Sequence, residues 1–175
     1  MTKTRCALAL VISVLATLAG IPLAGHANAA VVLTCEESGT VSWAGLGIGA
    51  LPSKVYWTDA ITFSNCTGTA VDQGLPIPVS ETDIGTETAG CDAETTDNTS
   101  TGTIIWSDGT STDVSSGGGS QIEGSGSRRG DFPTLLSTGP YAGKTAIDSN
   151  TVTPSDQQCP GLTFATLEGT WTIAD

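Results

Sequence analysis

An all-β fold, a single antiparallel β-sandwich or partly closed barrel with two disulfides, is what this sequence predicts. Three observations point there. Beyond residue 30 the chain is rich in Thr, Ser, Gly and Val, which suit a pleated surface and its turns. Its apolar residues recur every second position, and no stretch there carries a 3.6-residue apolar stripe with helix caps. Four cysteines follow an export leader, an even number that reads as two disulfides outside the cytosol.

The leader occupies residues 1–29. Lys3 and Arg5 give a positive start, and an uncharged run from Cys6 to Ile21 follows. Pro22 breaks it, and Ala27 and Ala29 supply the small-x-small pattern of signal peptidase, so cleavage is expected after Ala29. A membrane anchor needs about 20 apolar residues, more than this run offers. A lipoprotein reading fails because Cys35 follows Val-Leu-Thr rather than small residues. Residues 30–175 are then expected to form one domain with no membrane insertion.

Strand candidates follow in order. Val41 and Trp43 share a face. In VYWTDAITF, Val55, Trp57, Ile61 and Phe63 share another, and Asp59 falls on that apolar side, which suggests a bulge or an edge. GTIIWSDGTSTDV reads as a hairpin turning at Asp108-Gly109. In LTFATLEGTWTI, Leu162 and Phe164 are out of phase with Leu167, Trp171 and Ile173, so a bulge is expected near Ala165–Thr166. Residues 80–101, dense in acidic side chains, read as a flexible loop. Residues 115–131, rich in Gly and Ser, read as a second, in which Gln121–Glu123 could pair as a short strand.

Cleavage leaves Cys35, Cys66, Cys91 and Cys159, for which three pairings exist and spacing alone does not choose. Cys35–Cys66 with Cys91–Cys159 is favoured because each bond then closes a loop containing a strand pair. Zinc is disfavoured by the absence of CxxC pairs.

Cleavage also leaves four basic residues against 18 acidic ones, a net charge of −14. That balance excludes the positive footprint of a nucleic-acid binder and disfavours anionic membranes. It removes the only histidine, His26, and with it Ser-His-Asp and Cys-His catalysis. Carboxylate pairs or a Ser-Lys dyad remain, yet Lys54 and Lys144 sit beside turns and most acids fall in apparent loops. No catalytic residue, cofactor or metal is therefore expected. The segment CDAETTDNTS offers Asp92, Glu94, Asp97 and Asn98 to calcium, but without the order of a calcium loop. Trp43, Trp57, Trp106 and Trp171 are in phase with aliphatic neighbours and read as core. Tyr56, and after it Tyr141, are the aromatics left to contact a ligand. Arg129, Gly130 and Asp131 spell an adhesion tripeptide that functions at a turn tip, although Gly-Asp is also a common turn pair.

The pieces CEESGTVSW, TFSNCTG, WSDGTST, LSTGPYAGKT and CPGLTFATLEGTWTI resemble, in that order, small exported β-proteins of actinomycetes. The resemblance implies an exported β-sandwich or barrel and transfers no catalytic residue. The acidic insert at 80–101 and the SRRGDF segment are not part of that pattern. The expected function is therefore a secreted, non-enzymatic protein, extracellular or loosely held at the cell envelope. It would meet an extracellular protein or glycan through surface contacts. A carbohydrate-binding module using exposed aromatics and a hydrolase with a carboxylate pair are the alternatives.

Overall fold

A computed structural model describes residues 30–123, 126–155 and 158–175. The leader assigned to residues 1–29 lies outside them. Eight strands run in chain order: β1 (Val31–Trp43), β2 (Ser53–Thr67), β3 (Pro78–Gly90), β4 (Ala93–Trp106), β5 (Ser111–Ile122), β6 (Arg128–Leu136), β7 (Thr145–Pro154) and β8 (Phe164–Ala174). One short helix, α1 (Thr69–Asp72), follows β2. Each strand pairs antiparallel with the next, and β8 pairs with β1, so the sheet closes on itself as an eight-stranded barrel. Closure leaves no sheet edge exposed.

The expected hairpin turns at Asp108-Gly109, where Gly109 takes φ 81° and Asp108 Oδ1 accepts the Thr110 N–H. Four expectations are corrected. Residues 80–101 are not a loop but most of β3 and β4, which pair with each other from Pro78–Trp106 to Gly90–Ala93. On β3 the alternation turns Thr82, Thr86 and Thr88 outward and Glu81, Asp83 and Glu87 inward, a strand pattern that overall polarity conceals. Nor are residues 115–131 simply a loop: 115–122 belong to β5 and 128–131 to β6, which pair from Val114–Leu136 to Ile122–Arg128, while 124–125 lie outside the described residues. Asp59 marks neither a bulge nor an edge: β2 runs in unbroken register with β1 from Glu36–Ser64 to Trp43–Trp57. Nor does β8 bulge near Ala165, since it pairs with β1 continuously from Leu33–Ile173 to Ser42–Phe164. Phe164 simply faces outward, and Leu162 is buried just before the strand, bridged to Ile48.

Both disulfides form as favoured, Cys35–Cys66 and Cys91–Cys159. The first staples β1 to β2. The second ties the β3–β4 turn to the segment before β8. Such bonds belong to an oxidising compartment. Among the described residues no helix is long and apolar enough to cross a membrane.

Inward side chains fall into three layers. One apolar cluster holds Leu33, Ile104, Trp106, Leu136, Trp171 and Ile173; another holds Val41, Trp43, Val55, Trp57, Ile61 and Leu167. Burying each such side chain contributes on the order of 2 kcal/mol. Between the clusters lies a polar layer, legible along single strands. On β1, Glu37 stands between Cys35 and Val41; on β7, Asp148 and Asn150 stand between Ala146 and Val152.

Candidate functional site

The polar layer is built by strand alternation. Inward positions of four adjacent or near-adjacent strands carry acids: Glu37 on β1, Asp59 on β2, Glu81, Asp83 and Glu87 on β3, and Asp148 on β7. Glycine makes room for two of them. A methyl group added at Gly102 would strike Asp83 Oδ1, and one at Gly169 would strike Glu37 Oε1.

These acids are partnered mainly with one another. Glu37 hydrogen-bonds Asp148, and Glu81 hydrogen-bonds Asp83. No protein N–H or hydroxyl reaches either oxygen of Glu37 or Oδ1 of Asp83. Two carboxylates offer only acceptors, so each pair requires a shared proton. Asp59 Oδ1 accepts the Asp83 N–H at 2.8 Å, and Asp148 Oδ1 accepts from Asn150 Nδ2 at 2.7 Å.

Burial is the first cause of the protonation that follows. It lifts the Asp59 carboxyl to about 8, with the neighbouring charge of Asp83 adding to it. Glu37 and Glu81 are held well above the ordinary carboxylate range, again by burial first and then by neighbouring carboxyls. Burial also raises Asp148, opposed by its hydrogen bonds with Glu37 and Asn150. Asp83 rises to about 6 for the same first reason, restrained by its hydrogen bond with Glu81. Burial raises Glu87 too, opposed by the Trp43 hydrogen bond and by the charge of Arg128.

Arg128 is the one cation facing this layer among the described residues. Its guanidinium is turned to the barrel end, donating to the carbonyls of Gly90 and Ala93 and to Thr95 Oγ1. It therefore clamps the β3–β4 turn, and Nε remains without a partner. Nearby, Trp43 Nε1 donates to Glu87 Oε1 at 2.7 Å and Trp57 Nε1 donates to Asn98 Oδ1 at 3.1 Å. These bonds satisfy the indole N–H groups and orient both rings toward a cavity.

That cavity leaves about 60 Å³ for the centres of water-sized molecules. Asp59, Asp83 and Asp148 line one part of its wall, and Trp43, Trp57 and Phe132 another. The space suits a few waters or a ligand of a few heavy atoms.

The residues singled out from sequence lie elsewhere. Tyr56 is 63% exposed on the outer face of β2, beside Ile84, itself 64% exposed. Thr58, Thr86, Thr99 and Thr101 border the same shallow depression. Tyr141 is not an exposed contact residue: it is 6% exposed, packs on Trp106 and donates its hydroxyl to the Pro76 carbonyl. Arg129, Gly130 and Asp131 do not sit at a turn tip. They are extended within β6, paired to β5 and β7, with Asp131 Oδ1 accepting from Ser149 Oγ. Of the calcium candidates, Glu94 and Asp97 are exposed while Asn98 turns inward to Trp57. Among the described residues no three His, Cys, Asp or Glu side chains are gathered to hold a metal ion. The four tryptophans are buried, as expected of core residues.

Sequence reasoning missed the interior acids, although a signal existed. Asp59 is in phase with Val55, Trp57 and Ile61, and Glu37 with Cys35 and Val41. Taken literally, the alternation places both carboxyls inside.

Fold and site together define a disulfide-bonded, closed antiparallel β-barrel with a carboxyl-lined interior. Comparison of the chain with known protein families, curated proteins and solved structures finds no match.

Proposed function

We propose that this is an exported, non-enzymatic binding protein that receives a small polar ligand inside its barrel. It would be free outside the cell or loosely held at the envelope. The observation that carries the reading is the internal cavity, where indole and phenyl surface meets buried carboxyls. Aromatic walls with a few convergent polar groups are what small-molecule sites present. The space of about 60 Å³ restricts the ligand to a few heavy atoms, excluding a sugar ring or peptide segment from the interior. That size also favours binding over a carboxylate-pair hydrolase. The carboxyls in each pair are hydrogen-bonded, whereas retaining glycosidases hold theirs roughly 5 Å apart.

Tryptophan emission tests the proposal, because Trp43 and Trp57 line the cavity. Titrating the oxidised protein with small polar solutes is expected to shift emission saturably for at least one chemical class. Trp57→Phe should shrink that shift. A flat response across cationic, neutral and anionic solutes would rule the reading out.

A second reading is favoured by one specific observation. Tyr56 and Ile84 form an exposed apolar spot bordered by threonine hydroxyls, and this outer face suits an uncharged polysaccharide. Retention on insoluble polysaccharide, lost in Tyr56→Ala, would support it; equal retention of the variant would end it.

A further inference from the structure

We propose that Cys91–Cys159 is a redox latch on a lid. While the bond is oxidised, the β1–β2 loop closes the barrel over the cavity; reduction by a dithiol lets that loop open. The inference rests on the cavity being the binding site and adds what governs entry to it.

The lid is the loop between β1 and β2, residues 44–52. Its sequence, AGLGIGALP, sets three large aliphatic side chains among small residues. Only Ile48 turns inward: it is fully buried, whereas Leu46 and Leu51 are 91% and 79% exposed. Ile48 packs in the apolar cluster with Trp43, Trp57 and Leu167, and those three also line the cavity. It is a plug seated on the cavity's apolar wall, and the loop buries no other side chain. Burial of one side chain gives a loop little stability of its own, so what holds it shut lies in its neighbours.

Those neighbours are the two segments that carry the cysteines. On one side the Cys91 N–H donates to the Gly49 carbonyl at 3.0 Å. On the other, the Ile48 N–H donates to the Leu162 carbonyl at 2.9 Å, and the Ile48 carbonyl accepts the Gly161 N–H at 2.8 Å. Around the barrel the order is β3, β2, β1, β8, so the β1–β2 loop lies between the β3–β4 turn and the segment leading into β8. The disulfide reaches from one of these to the other. Oxidised, it holds the two sides of a clasp about the plug. Reduced, it leaves two connecting segments that no strand pairing joins to each other.

The two disulfides differ in this respect. Cys35 is fully buried, and its half-buried partner Cys66 sits on a strand already laddered to β1, so breaking that bond releases no element. Cys91 and Cys159 are both half-buried and stand on connecting segments at the barrel mouth. Partly exposed bonds are the ones that thiol–disulfide exchange reaches. A thiolate of the dithiol attacks one sulfur of the bond, and the second thiol then resolves the mixed disulfide. Two electrons and two protons pass to the protein, Cys91 and Cys159 become thiols, and the reductant leaves as a disulfide.

Graded reduction of the native protein with dithiothreitol at neutral pH tests this, with alkylation and mass mapping to locate the thiols and acrylamide quenching of tryptophan emission to follow the lid. Cys91 and Cys159 are expected to be labelled while Cys35–Cys66 stays intact and the far-UV spectrum is unchanged. In that state quenching should rise about twofold, less in Trp57→Phe, and return to its starting value on reoxidation. Ile48→Ala, with both bonds oxidised, should reproduce the rise; no rise there would overturn the assignment of Ile48 as the plug. Reduction of both bonds together, with loss of the far-UV signal, would overturn the latch and make the bond a staple of the whole barrel. Free thiols at Cys91 and Cys159 with unchanged quenching would also overturn it, and saturable solute binding by that protein would leave the binding reading standing. Failure of every small polar solute to shift emission in either redox state would bring down the binding reading, and the latch with it.

Discussion

At the scale of single residues, the unusual feature is acids kept neutral in a protein otherwise crowded with negative charge. Asp59 is the cleanest case, since its carboxyl titrates near 8 when folded and near 4 when unfolded. Between those values the folded state holds a proton that the unfolded state has lost, so stability declines as pH rises through that window. Asp59→Asn removes the titration yet keeps an Oδ1 to accept the Asp83 N–H. The variant is expected to melt with the parent near pH 4 and above it at pH 8, by up to about 5 kcal/mol. Thermal melts at the two pH values check this; a variant less stable at pH 8 would contradict the account.

At the scale of strands, glycines set how closely neighbouring chains approach the interior acids. Gly169 on β8 faces Asn150 on β7, and a methyl there would meet Glu37 Oε1 and the Ser149 carbonyl. Because one obstacle is backbone, the clash cannot be relieved by a rotamer change. Gly169→Ala is expected to cost about 1–3 kcal/mol, read as a lower urea midpoint with unchanged slope. Strand-level patterning also explains what the sequence revealed. The hairpin at Asp108-Gly109 and the four core tryptophans were legible because turn chemistry and aromatic phase are local. Strands β3 and β4 were not. Their inward positions carry Glu81, Asp83, Glu87, Asn98 and Ser100, so polarity falls on both faces and the alternation of core against solvent vanishes. Asp59 shows the same failure singly: an acid in phase with a core reads as a fault when other strands supply its neighbours. Closure of the sheet was legible only as one of two outcomes, since register between β1 and β8 is a long-range property.

For the molecule as a whole, the buried acids act together. Their raised carboxyls make the folded barrel bind more protons than the unfolded chain from about pH 4 upward. Stability is therefore expected to be greatest in mild acid and to fall as pH rises to 8, read as a descending melting temperature. A melting temperature that rises across that interval would contradict the buried, protonated layer. The disulfides make a separate contribution. Cys91–Cys159 spans 68 residues, and in the chain-entropy description its loss costs about 4 kcal/mol, an upper value. Replacing both cysteines by Ala should lower stability by up to that amount, more than the same change at Cys35–Cys66, which spans 31 residues. Denaturant titrations of the two double variants would rank them.

The pairing of β1 with β8 imposes an order on events. The seam joins residues near the beginning of the described chain to those near its end, so the barrel cannot close until Ala174 has been synthesised. An incomplete chain has two open strands seeking partners and an acid layer still in water. Topology thus delays closure of the barrel until β8 has been made.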